Sequence, residues 1–214
     1  ESRTLSSLLI VNSLKEHPHS VKAIISSSAI GWYGEDKQNG FAFTEDDDSD
    51  NSFLGETCKL WEDSIEPASA LGIRVCKLRT GIVLSNDGGA LSEFKKPLNL
   101  GVAAILGNGK QIVSWIHIDD LCRMFLFAIE HAEMRGSYNA VAPTPVSNKE
   151  LMLTLARLMK GNFYIPLHVP EFVLKIIMGT RSIEVLKSTT VSCTKIKMEG
   201  FTFLYPSINA ALQE

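Results

Sequence analysis

The sequence predicts an α/β fold built around a parallel sheet, because helical patterns alternate with short apolar runs typical of buried strands. Residues 1–16 carry apolar side chains at roughly helical intervals, and the segment His-Pro-His (17–19) ends that pattern. Residues 21–26 and 74–84 are apolar and rich in β-branched side chains, as expected of strands that are covered on both faces. The helix–strand–helix–strand order favours right-handed crossovers between parallel strands.

The rest of the chain continues this alternation. An acidic, polar segment over 40–50 is interpreted as a solvated loop, and Gly72 marks the end of the second helix. Ser147 and Glu150 form a capping box that opens a later helix. The other predicted elements are a helix over 53–71, a helix over 90–100, an extended segment over 111–118, a helix that begins at Asp119-Asp120, a strand over 138–141, a helix up to about Lys160, an extended segment over 164–166 and a short apolar helix over 170–179.

The composition is that of an ordinary soluble globular protein of one or two domains. The chain has 214 residues, of which 45% are hydrophobic and 21% charged, and its formal net charge of −3 argues against nucleic-acid binding. No apolar run reaches the ~18–20 residues needed to span a bilayer, and the N-terminus has no signal-peptide layout, so we expect a cytoplasmic protein. Four cysteines without a Cys-x-x-Cys pair are expected to be reduced thiols, and five histidines without ligand spacing predict no metal site.

Four short segments carry the most specific information. In chain order they are Ser-Ser-Ser-Ala-Ile-Gly-Trp-Tyr-Gly (26–34), Leu-Arg-Thr-Gly-Ile-Val-Leu (78–84), Gln-Ile-Val-Ser-Trp-Ile-His-Ile-Asp-Asp-Leu (111–121) and Gly-Ser-Tyr-Asn-Ala-Val-Ala-Pro (136–143). In this order and at these separations they resemble the epimerase-like, atypical short-chain dehydrogenase/reductase family. The tail is similar to the short C-terminal domain of that family at Ile165-Pro166, Val169-Pro170, Gly179 and Gly200-Phe201.

The resemblance implies the distal half of a Rossmann-like doubly wound parallel sheet with a small C-terminal substrate or cap region. Residues 1–145 would form a partial NAD(P)-binding domain, with 88–112 as a substrate-facing insertion, and residues 146–214 a small C-terminal domain. The implied cofactor is NAD(P), with NADP favoured. The sequence has no Gly-x-x-Gly-x-x-Gly turn; in the family this phosphate-binding turn belongs to strands that would precede Glu1. The exposed sheet edge would pair with that missing N-terminal segment or with a second copy in a homodimer.

The wider superfamily handles protons with a tyrosine, a lysine four residues later and a nearby serine or threonine. The close ammonium lowers the tyrosine pKa towards neutrality, and the spacing puts both groups on one helix face. Aligning Gly55 and Glu62 with that pattern puts Leu54 at the tyrosine and Cys58 at the lysine, and neither can do this proton work. Lys59 lies one position away, on a different part of the helix surface, and is interpreted as a solvated lysine.

Two residues of the 26–34 segment are the catalytic candidates. The serine or threonine position of the family falls on Ala29, and its neighbour Ser28 could supply a hydroxyl facing the nicotinamide or the substrate. The alternative for Ser28 is a hydroxyl that satisfies loop amides. Tyr33 is an alternative acid, or else a side chain that packs beside the site.

The resemblance also implies binding residues. Those near the cofactor are Ser27, Ser28, Gly81, Ile82 and Val83, and Gly81 has no side chain to obstruct a close approach. Those near the substrate are Phe94, Lys96 and Trp115. Lys96 would clamp an anionic substrate or else lie on the surface, and Trp115 would line the cleft or else pack in the core.

Three further residues have structural interpretations. His117 titrates near neutral pH when unperturbed, but it is expected to make a buried hydrogen bond rather than to act in catalysis. Asp120 is expected to cap the turn from strand to helix, and Arg79 to anchor the end of a strand.

Two hypotheses about function follow. The first is an NAD(P)-dependent oxidoreductase or epimerase-like enzyme of unknown small-molecule substrate, without the usual Tyr-x-x-x-Lys pair. The second is a catalytically degenerate NAD(P)-binding module that regulates or scaffolds through partners. Loss of the proton-handling pair favours the second hypothesis, and retention of the cleft-lining segments favours the first.

Overall fold

The computed structural model describes residues 2–179 and 182–214. Glu1, the first residue of the predicted N-terminal helix, lies outside them. The helices described are α1 (Ser2–Glu16), α2 (Phe53–Ile65), α3 (Gly89–Asn99), α4 (Ile118–Glu130), α5 (Asn148–Lys160), α6 (Glu171–Met178), α7 (Ser182–Leu186), α8 (Thr194–Met198) and α9 (Ile208–Leu212). The strands described are β1 (Ala23–Ala29), β2 (Arg74–Thr80), β3 (Ile82–Ser85), β4 (Val102–Leu106), β5 (Ile112–Val113), β6 (Trp115–His117), β7 (Gly136–Ala140), β8 (Val146–Ser147) and β9 (Ile165–Val169).

A parallel sheet with the order β1-β2-β7 forms the centre of the fold. Strand β1 pairs with β2 along its whole length, from Ala23 opposite Arg74 to Ala29 opposite Thr80. Strand β7 pairs with β2 on the other side, also in parallel. The prediction that the apolar runs 21–26 and 74–84 lie side by side in one parallel sheet is therefore confirmed, and with it the α/β fold class.

The run 74–84 is not one strand, however, because it changes partners at Gly81. Strand β2 ends at Thr80, and β3 leaves the central sheet to pair in parallel with β6. The amide of Gly81 donates to the carbonyl of Ala140 (3.1 Å), and the next amide, that of Ile82, donates to the carbonyl of Ser114 (2.9 Å). The chain therefore opens a crevice directly after the central sheet.

Other predicted boundaries also differ. The α-helical part of the predicted helix 53–71 ends at Ile65, and 66–71 is a 3-10 turn, because Pro67 has no amide hydrogen to continue the α-helical ladder. The predicted extended segment 111–118 is two short strands, β5 and β6, and helix α4 already begins at Ile118.

Helices cover both faces of the central sheet. Val75 belongs to a small cluster with Val11 of α1 and Ile65 of α2. The next residue, Cys76, belongs to a larger cluster with Met124 of α4. Because adjacent side chains of a strand point to opposite faces, α1 and α2 cover one face and α4 covers the other.

The C-terminal third contributes to two buried clusters. Val191, Ile196 and Phe201 pack into the cluster on the α4 face of the sheet. A second cluster joins Trp115 of β6 to Leu151 of α5 and to residues of α3, β4 and α9. The predicted domain boundary at 145/146 stays a prediction. Within residues 2–179 and 182–214, no helix combines the length and the apolar character needed to cross a membrane.

Candidate functional site

A cavity of about 270 Å³ lies where β1 and β2 end, at the crevice that the Gly81 break opens. In parallel α/β sheets, ligands bind outside the carboxyl ends of the strands. The wall is mostly apolar and comes from the turn after β1, from α2, α3, α5 and α7, from β3 to β5 and from the chain that follows β5 and α7. The lining residues are Ile30, Gly31, Leu54, Ile82, Phe94, Leu106, Ile112, Val113, Ser114, Asn148, Val185, Lys187 and Thr189.

Helix α2 brings the two positions aligned with the Tyr-x-x-x-Lys pair to this part of the molecule. Ser52 caps the helix by accepting a hydrogen bond from the amide of Gly55 (3.4 Å), and Leu54 of the first turn lines the cavity. Cys58, one turn later, is buried, and burial raises the pKa of its thiol. Lys59 lies on the exposed face and pairs with Asp63 (3.6 Å), in agreement with its interpretation as a solvated lysine.

The hydroxyl of Ser28 is committed to a buried ion pair instead of facing the cavity. Its Oγ donates to Glu62 Oε1 (2.7 Å), and Ser28 is only 2% exposed. Glu62 forms a two-point ion pair with Arg79, whose Nε and Nη2 donate at 2.8 and 3.1 Å. Ser137 of β7 also donates to Glu62 (3.0 Å). The acceptor of the Ser28 hydroxyl is thus a carboxylate of α2, and a catalytic role for Ser28 stays a prediction.

Burial alone would raise the pKa of Glu62. The hydrogen bonds from Arg79 and the charge of its guanidinium outweigh that effect, so the pKa of the carboxyl lies below its usual range. Arg79 therefore does more than anchor the end of β2: it holds a buried carboxylate of α2 against the central sheet.

Tyr33 belongs to the same polar network and is fully buried. Its hydroxyl donates to Asn139 Oδ1 (2.8 Å) and accepts from Arg79 Nη1 (3.0 Å). Burial raises the pKa of Tyr33 to about 12 in spite of the nearby Arg79. Its ring stacks on Phe43, with centroids 5.0 Å apart. These contacts are those of a side chain that packs beside the site, and the alternative role of Tyr33 as an acid stays a prediction.

The residues expected near the cofactor have three different environments. Ile82 lines the cavity. At Gly81, a Cβ atom would lie 2.6 Å from the carbonyl oxygen of Ser114 and 2.8 Å from Val141 Cγ1, so the absent side chain makes room for the chain itself and not for an approaching ligand. Val83 packs against the larger buried cluster, and the hydroxyl of Ser27 donates to the carbonyl of Ser28 (3.4 Å).

The residues expected near the substrate also lie in different environments. Phe94 lines the cavity. Lys96 pairs with Glu93 on the exposed face of α3 (2.7 Å) and is absent from the cavity wall, which matches the surface alternative. Trp115 is fully buried, and its indole nitrogen donates to the carbonyl of Thr144 (3.0 Å), which matches the core alternative.

His117 is buried and makes a hydrogen bond, in line with its structural interpretation. Its Nδ1 accepts from the amide of Asp119 (3.2 Å) and so caps α4, and its Nε2 lies 3.0 Å from Glu214 Oε2. The imidazole also lies against Tyr205, with centroids 4.0 Å apart. His117, Asp119 and Glu214 offer ligand atoms within 4.8 Å of one another, which is a possible cation cluster. Both ring nitrogens already have partners, so this cluster carries no metal assignment.

Asp120 does not cap its own helix, contrary to the sequence prediction, because His117 takes that role. Its carboxylate is fully buried and reaches across to the C-terminal segment. Oδ1 accepts from the amide of Leu204 (2.8 Å), and Oδ2 accepts from the amide of Tyr205 (2.9 Å). Arg123 also donates to Oδ1 (2.8 Å). Asp120 therefore fixes the C-terminal segment to α4.

Sequence reasoning missed the polar residues of the cavity wall. Asn148, Lys187 and Thr189 lie more than a hundred residues after the 26–34 segment that carries the nearest motif. Asn148 directly follows Ser147 of the predicted capping box, but a capping box indicates only a helix start and not which side chains face a cavity. The role of Glu62 had a weak signal, since a carboxylate inside a mostly apolar helix face needs a buried partner.

The cavity fits part of a nicotinamide dinucleotide. Ile30, Leu54 and Ile82 offer apolar side chains at the strand ends against which a flat ring could lie. The sequence has no glycine-rich turn for the diphosphate. The residues present would therefore hold the nicotinamide end of the cofactor, not its phosphates.

Solved structures with a similar fold include two proteins described as epimerases. A human epimerase family protein, SDR39U1, solved with NADPH, has a TM-score of 0.90 and 27% identity, and the match covers 99% of this chain and 71% of the human chain. A nucleoside-diphosphate sugar epimerase from Corynebacterium glutamicum has a TM-score of 0.78 and 32% identity, with 99% of this chain and 41% of that one covered.

Relatives of similar sequence are longer than this chain. The epimerase family protein YfhF of Bacillus subtilis is 34% identical over 206 residues, which are 96% of this chain and 65% of the Bacillus protein. A chloroplastic SDR39U1 homologue of Arabidopsis thaliana is 33% identical over 190 residues, which are 89% of this chain and 53% of that protein. This chain thus spans between about half and two thirds of the length of these two relatives.

Two family models match separate parts of the chain. The model of a domain of unknown function, DUF1731, matches residues 169–214. The model of the NAD dependent epimerase/dehydratase family matches residues 1–141, and this match covers the central sheet, the buried Glu62–Arg79 pair and much of the cavity wall. By this match and by its fold, the chain belongs to the NAD-dependent epimerase/dehydratase family.

Proposed function

We propose that this chain forms the nicotinamide- and substrate-facing part of an NAD(P)-dependent oxidoreductase or epimerase-like enzyme that acts on a small molecule. The observation that carries the proposal is the apolar cavity at the carboxyl ends of β1 and β2, in a chain of a family named for its NAD dependence. NADP is the favoured cofactor, because the similar human structure was solved with NADPH.

When bound, the cofactor would supply or accept a hydride. Reduction of a carbonyl also consumes one proton, and we propose that water supplies it. Leu54 has no acidic group, and the thiol of Cys58 is buried with a raised pKa, so neither position replaces the tyrosine and lysine of the superfamily. The contribution of the chain is to orient the substrate against the cofactor while water reaches the reacting oxygen.

The second candidate function is a degenerate NAD(P)-binding module that regulates or scaffolds through partners. The observation that favours it is the commitment of the remaining hydroxyls to structure. Ser28 is bonded to Glu62, and Tyr33 is bonded to Asn139 and Arg79. A protein that has lost its proton donors but kept the fold would bind the cofactor without turning it over.

A fluorescence titration of the complete gene product with NADPH and with NADH tests both candidates. We expect saturable binding with the tighter affinity for NADPH, followed by NADPH oxidation with at least one member of a carbonyl panel. Binding without turnover across that panel would favour the degenerate module. Binding of neither nucleotide would exclude both functions.

We also propose that the free edge of β1 pairs with another strand of the same protein, from residues outside 1–214. Within the described residues, β1 has β2 as its neighbour on one side only. The adjacent helix α1 leaves Leu5 and Leu9 more than 60% exposed, as expected of a surface that a further element covers. The greater length of the relatives provides residues for such an element.

Hydrogen exchange along β1 tests this pairing. Alternate amides of a parallel edge strand point away from its one neighbour. We therefore expect all amides of Ala23–Ala29 to be protected in the complete gene product, but only alternate ones in the 214-residue chain by itself. Unprotected alternate amides in the complete product would refute the pairing, and protection that appears in both forms only as concentration rises would identify a homodimer instead.

A further inference from the structure

The hydroxyl groups of the cavity wall are already used by the protein. Ser114 Oγ donates to the carbonyl of Thr189 (2.8 Å) and accepts from the amide of Val191 (3.0 Å). Thr189 Oγ1 donates to the carbonyl of Gly34 (3.1 Å). Neither hydroxyl has a proton left to donate to a ligand.

The amide of Asn148 is different, because only half of it is used. Its Oδ1 accepts from the backbone amide of Leu106 (2.9 Å), which also fixes the orientation of the side chain, since only the oxygen can accept. Its Nδ2 makes no hydrogen bond to any residue that the structure describes, although Asn148 is only 3% exposed. No completely sealed polar side-chain atom of the described residues lacks a partner. Nδ2 must therefore reach open space, and the cavity that Asn148 lines provides it.

The polar groups that a ligand can reach are thus hydrogen-bond donors. Nδ2 of Asn148 is the group that carries this argument, because the remaining polar lining residue, Lys187, already has an interaction within the protein. The rest of the wall consists of aliphatic side chains, Phe94 and Gly31. Such a wall selects a ligand that is mostly apolar and presents an acceptor such as a carbonyl or carboxylate oxygen.

The size of the cavity sets a second limit. An apolar cavity of about 150 Å³ can hold benzene. In the same proportion, a cavity of about 270 Å³ encloses roughly ten to twelve non-hydrogen atoms. A nicotinamide ring against Ile30, Leu54 and Ile82 would use part of this space, so the enclosed part of the substrate is small.

The chemistry of a sugar also conflicts with this wall. A hexose carries a hydroxyl on most of its ring carbons, and each hydroxyl needs both a donor and an acceptor when it is buried. A buried polar group without a partner is strongly unfavourable. The wall offers few donors and, apart from hydroxyls already in use, no side-chain acceptor that is free for a ligand among the residues described.

We infer that the cavity binds a small, mostly apolar carbonyl compound, with its oxygen hydrogen-bonded to Asn148 Nδ2, and that it does not bind a sugar or a nucleotide sugar. This substrate class rests on the proposed function, because it identifies the molecule on which the enzyme would act. It separates this protein from the sugar epimerases that share its fold.

The test compares acetophenone with cumene, which has the same number and connectivity of non-hydrogen atoms but a methyl group in place of the oxygen, and with glucose and UDP-glucose. Binding to the complete gene product is measured by saturation-transfer NMR and titration, without and with NADPH. We expect acetophenone to bind about tenfold more tightly than cumene, as one hydrogen bond allows. Glucose and UDP-glucose should not bind at the same concentrations.

Two variants with matched controls locate the binding. Leu54→Trp fills the cavity and should abolish acetophenone binding, whereas Leu60→Trp, on the exposed face of the same helix, should not. Asn148→Asp keeps the acceptor for Leu106 but replaces the donor with an acceptor, so the preference for acetophenone over cumene should disappear. Asn108→Asp is its control, because Asn108 Oδ1 likewise accepts from a backbone amide, that of Lys110 (2.8 Å), outside the cavity wall.

The outcomes separate this inference from the proposed function. The inference would be overturned if UDP-glucose bound as tightly as acetophenone, or if acetophenone still bound to Leu54→Trp. The proposed function would stand in either case, provided that the unchanged protein binds NADPH. Failure of acetophenone to bind at all would also overturn the inference. Conversely, the proposed function alone would be overturned if the unchanged protein preferred acetophenone to cumene but did not bind NADPH. Leu54→Trp and Asn148→Asp test the inference independently. If one of these variants does not fold, the result of the other still decides whether acetophenone binds in the cavity.

Discussion

Replacing Arg79 with methionine is expected to destabilise the protein by roughly 3–5 kcal/mol, as is typical when one partner of a buried ion pair is removed. The guanidinium of Arg79 and the carboxylate of Glu62 are each only 4% exposed. Without Arg79, the carboxylate would keep only the hydroxyls of Ser28 and Ser137. The substitution also removes the donor to Tyr33 and the cation that lies 3.7 Å over the ring of Trp32.

Chemical denaturation of Arg79→Met, Glu62→Leu and the double variant measures this effect. Replacing both charges with apolar groups removes the uncompensated carboxylate, so the double variant should be more stable than Arg79→Met alone. Lys77→Met is the control on the same strand: Lys77 pairs with Glu66, which is half exposed, and should cost no more than about 1 kcal/mol. Additive effects in the double variant would show that the pair does not act as a unit.

The sequence predicted the central sheet well because its strands are buried on both faces. Such strands read as continuous apolar runs, and the runs 21–26 and 74–84 have few other interpretations. The change of partner within the second run was not predicted, because strand-forming residues continue on both sides of Gly81. The one local signal was the glycine itself, since a glycine inside a strand often marks a bend or a close approach of another backbone. Here that backbone is the carbonyl of Ser114.

The candidate site was only partly predictable. The resemblance led to Ile82 and Phe94, and both line the cavity. It also led to Trp115, where a large aromatic side chain suits a cleft and a core equally well. The hydrogen-bond acceptor that holds the Trp115 indole in the core is the carbonyl of Thr144, which lies 29 residues away along the chain. Contacts of this kind depend on how distant segments pack, and no local pattern encodes them.

The same reason explains Tyr33 and Ser28. Their position after β1 suggested catalysis, but their roles depend on whether a buried partner competes for the hydroxyl. Glu62 and Asn139 supply such partners from α2 and β7. In this chain, then, hydroxyls close to the strand ends stabilise the junction of helix and sheet, while the cavity beside them is apolar. The polar groups and the apolar cavity are thus separate parts of the site. The polar groups stabilise the fold, and the apolar cavity is the basis for inferring an apolar carbonyl substrate.

Replacing Asp120 with alanine is expected to destabilise the protein by roughly 2–4 kcal/mol and to loosen the C-terminal segment first. The carboxylate satisfies the backbone amides of Leu204 and Tyr205, and an amide left without a partner costs about 1–3 kcal/mol when buried. Arg123 would lose its partner as well, although it keeps the carbonyl of Thr202 (2.9 Å).

Hydrogen exchange distinguishes this local role from a general loss of stability. In Asp120→Ala, the amides of Leu204 and Tyr205 should exchange much faster than in the unchanged protein. The amides of β2, which is anchored independently of Asp120, should show a smaller increase in exchange rate. Asp119→Ala is the matched control at the preceding position: its side chain is half exposed and lies 3.8 Å from His117, so exchange at Leu204 should not change. If Asp120→Ala left these two amides as protected as before, the C-terminal segment would be held by its apolar contacts at Phe201 and Ile208, and the buried carboxylate would need another explanation.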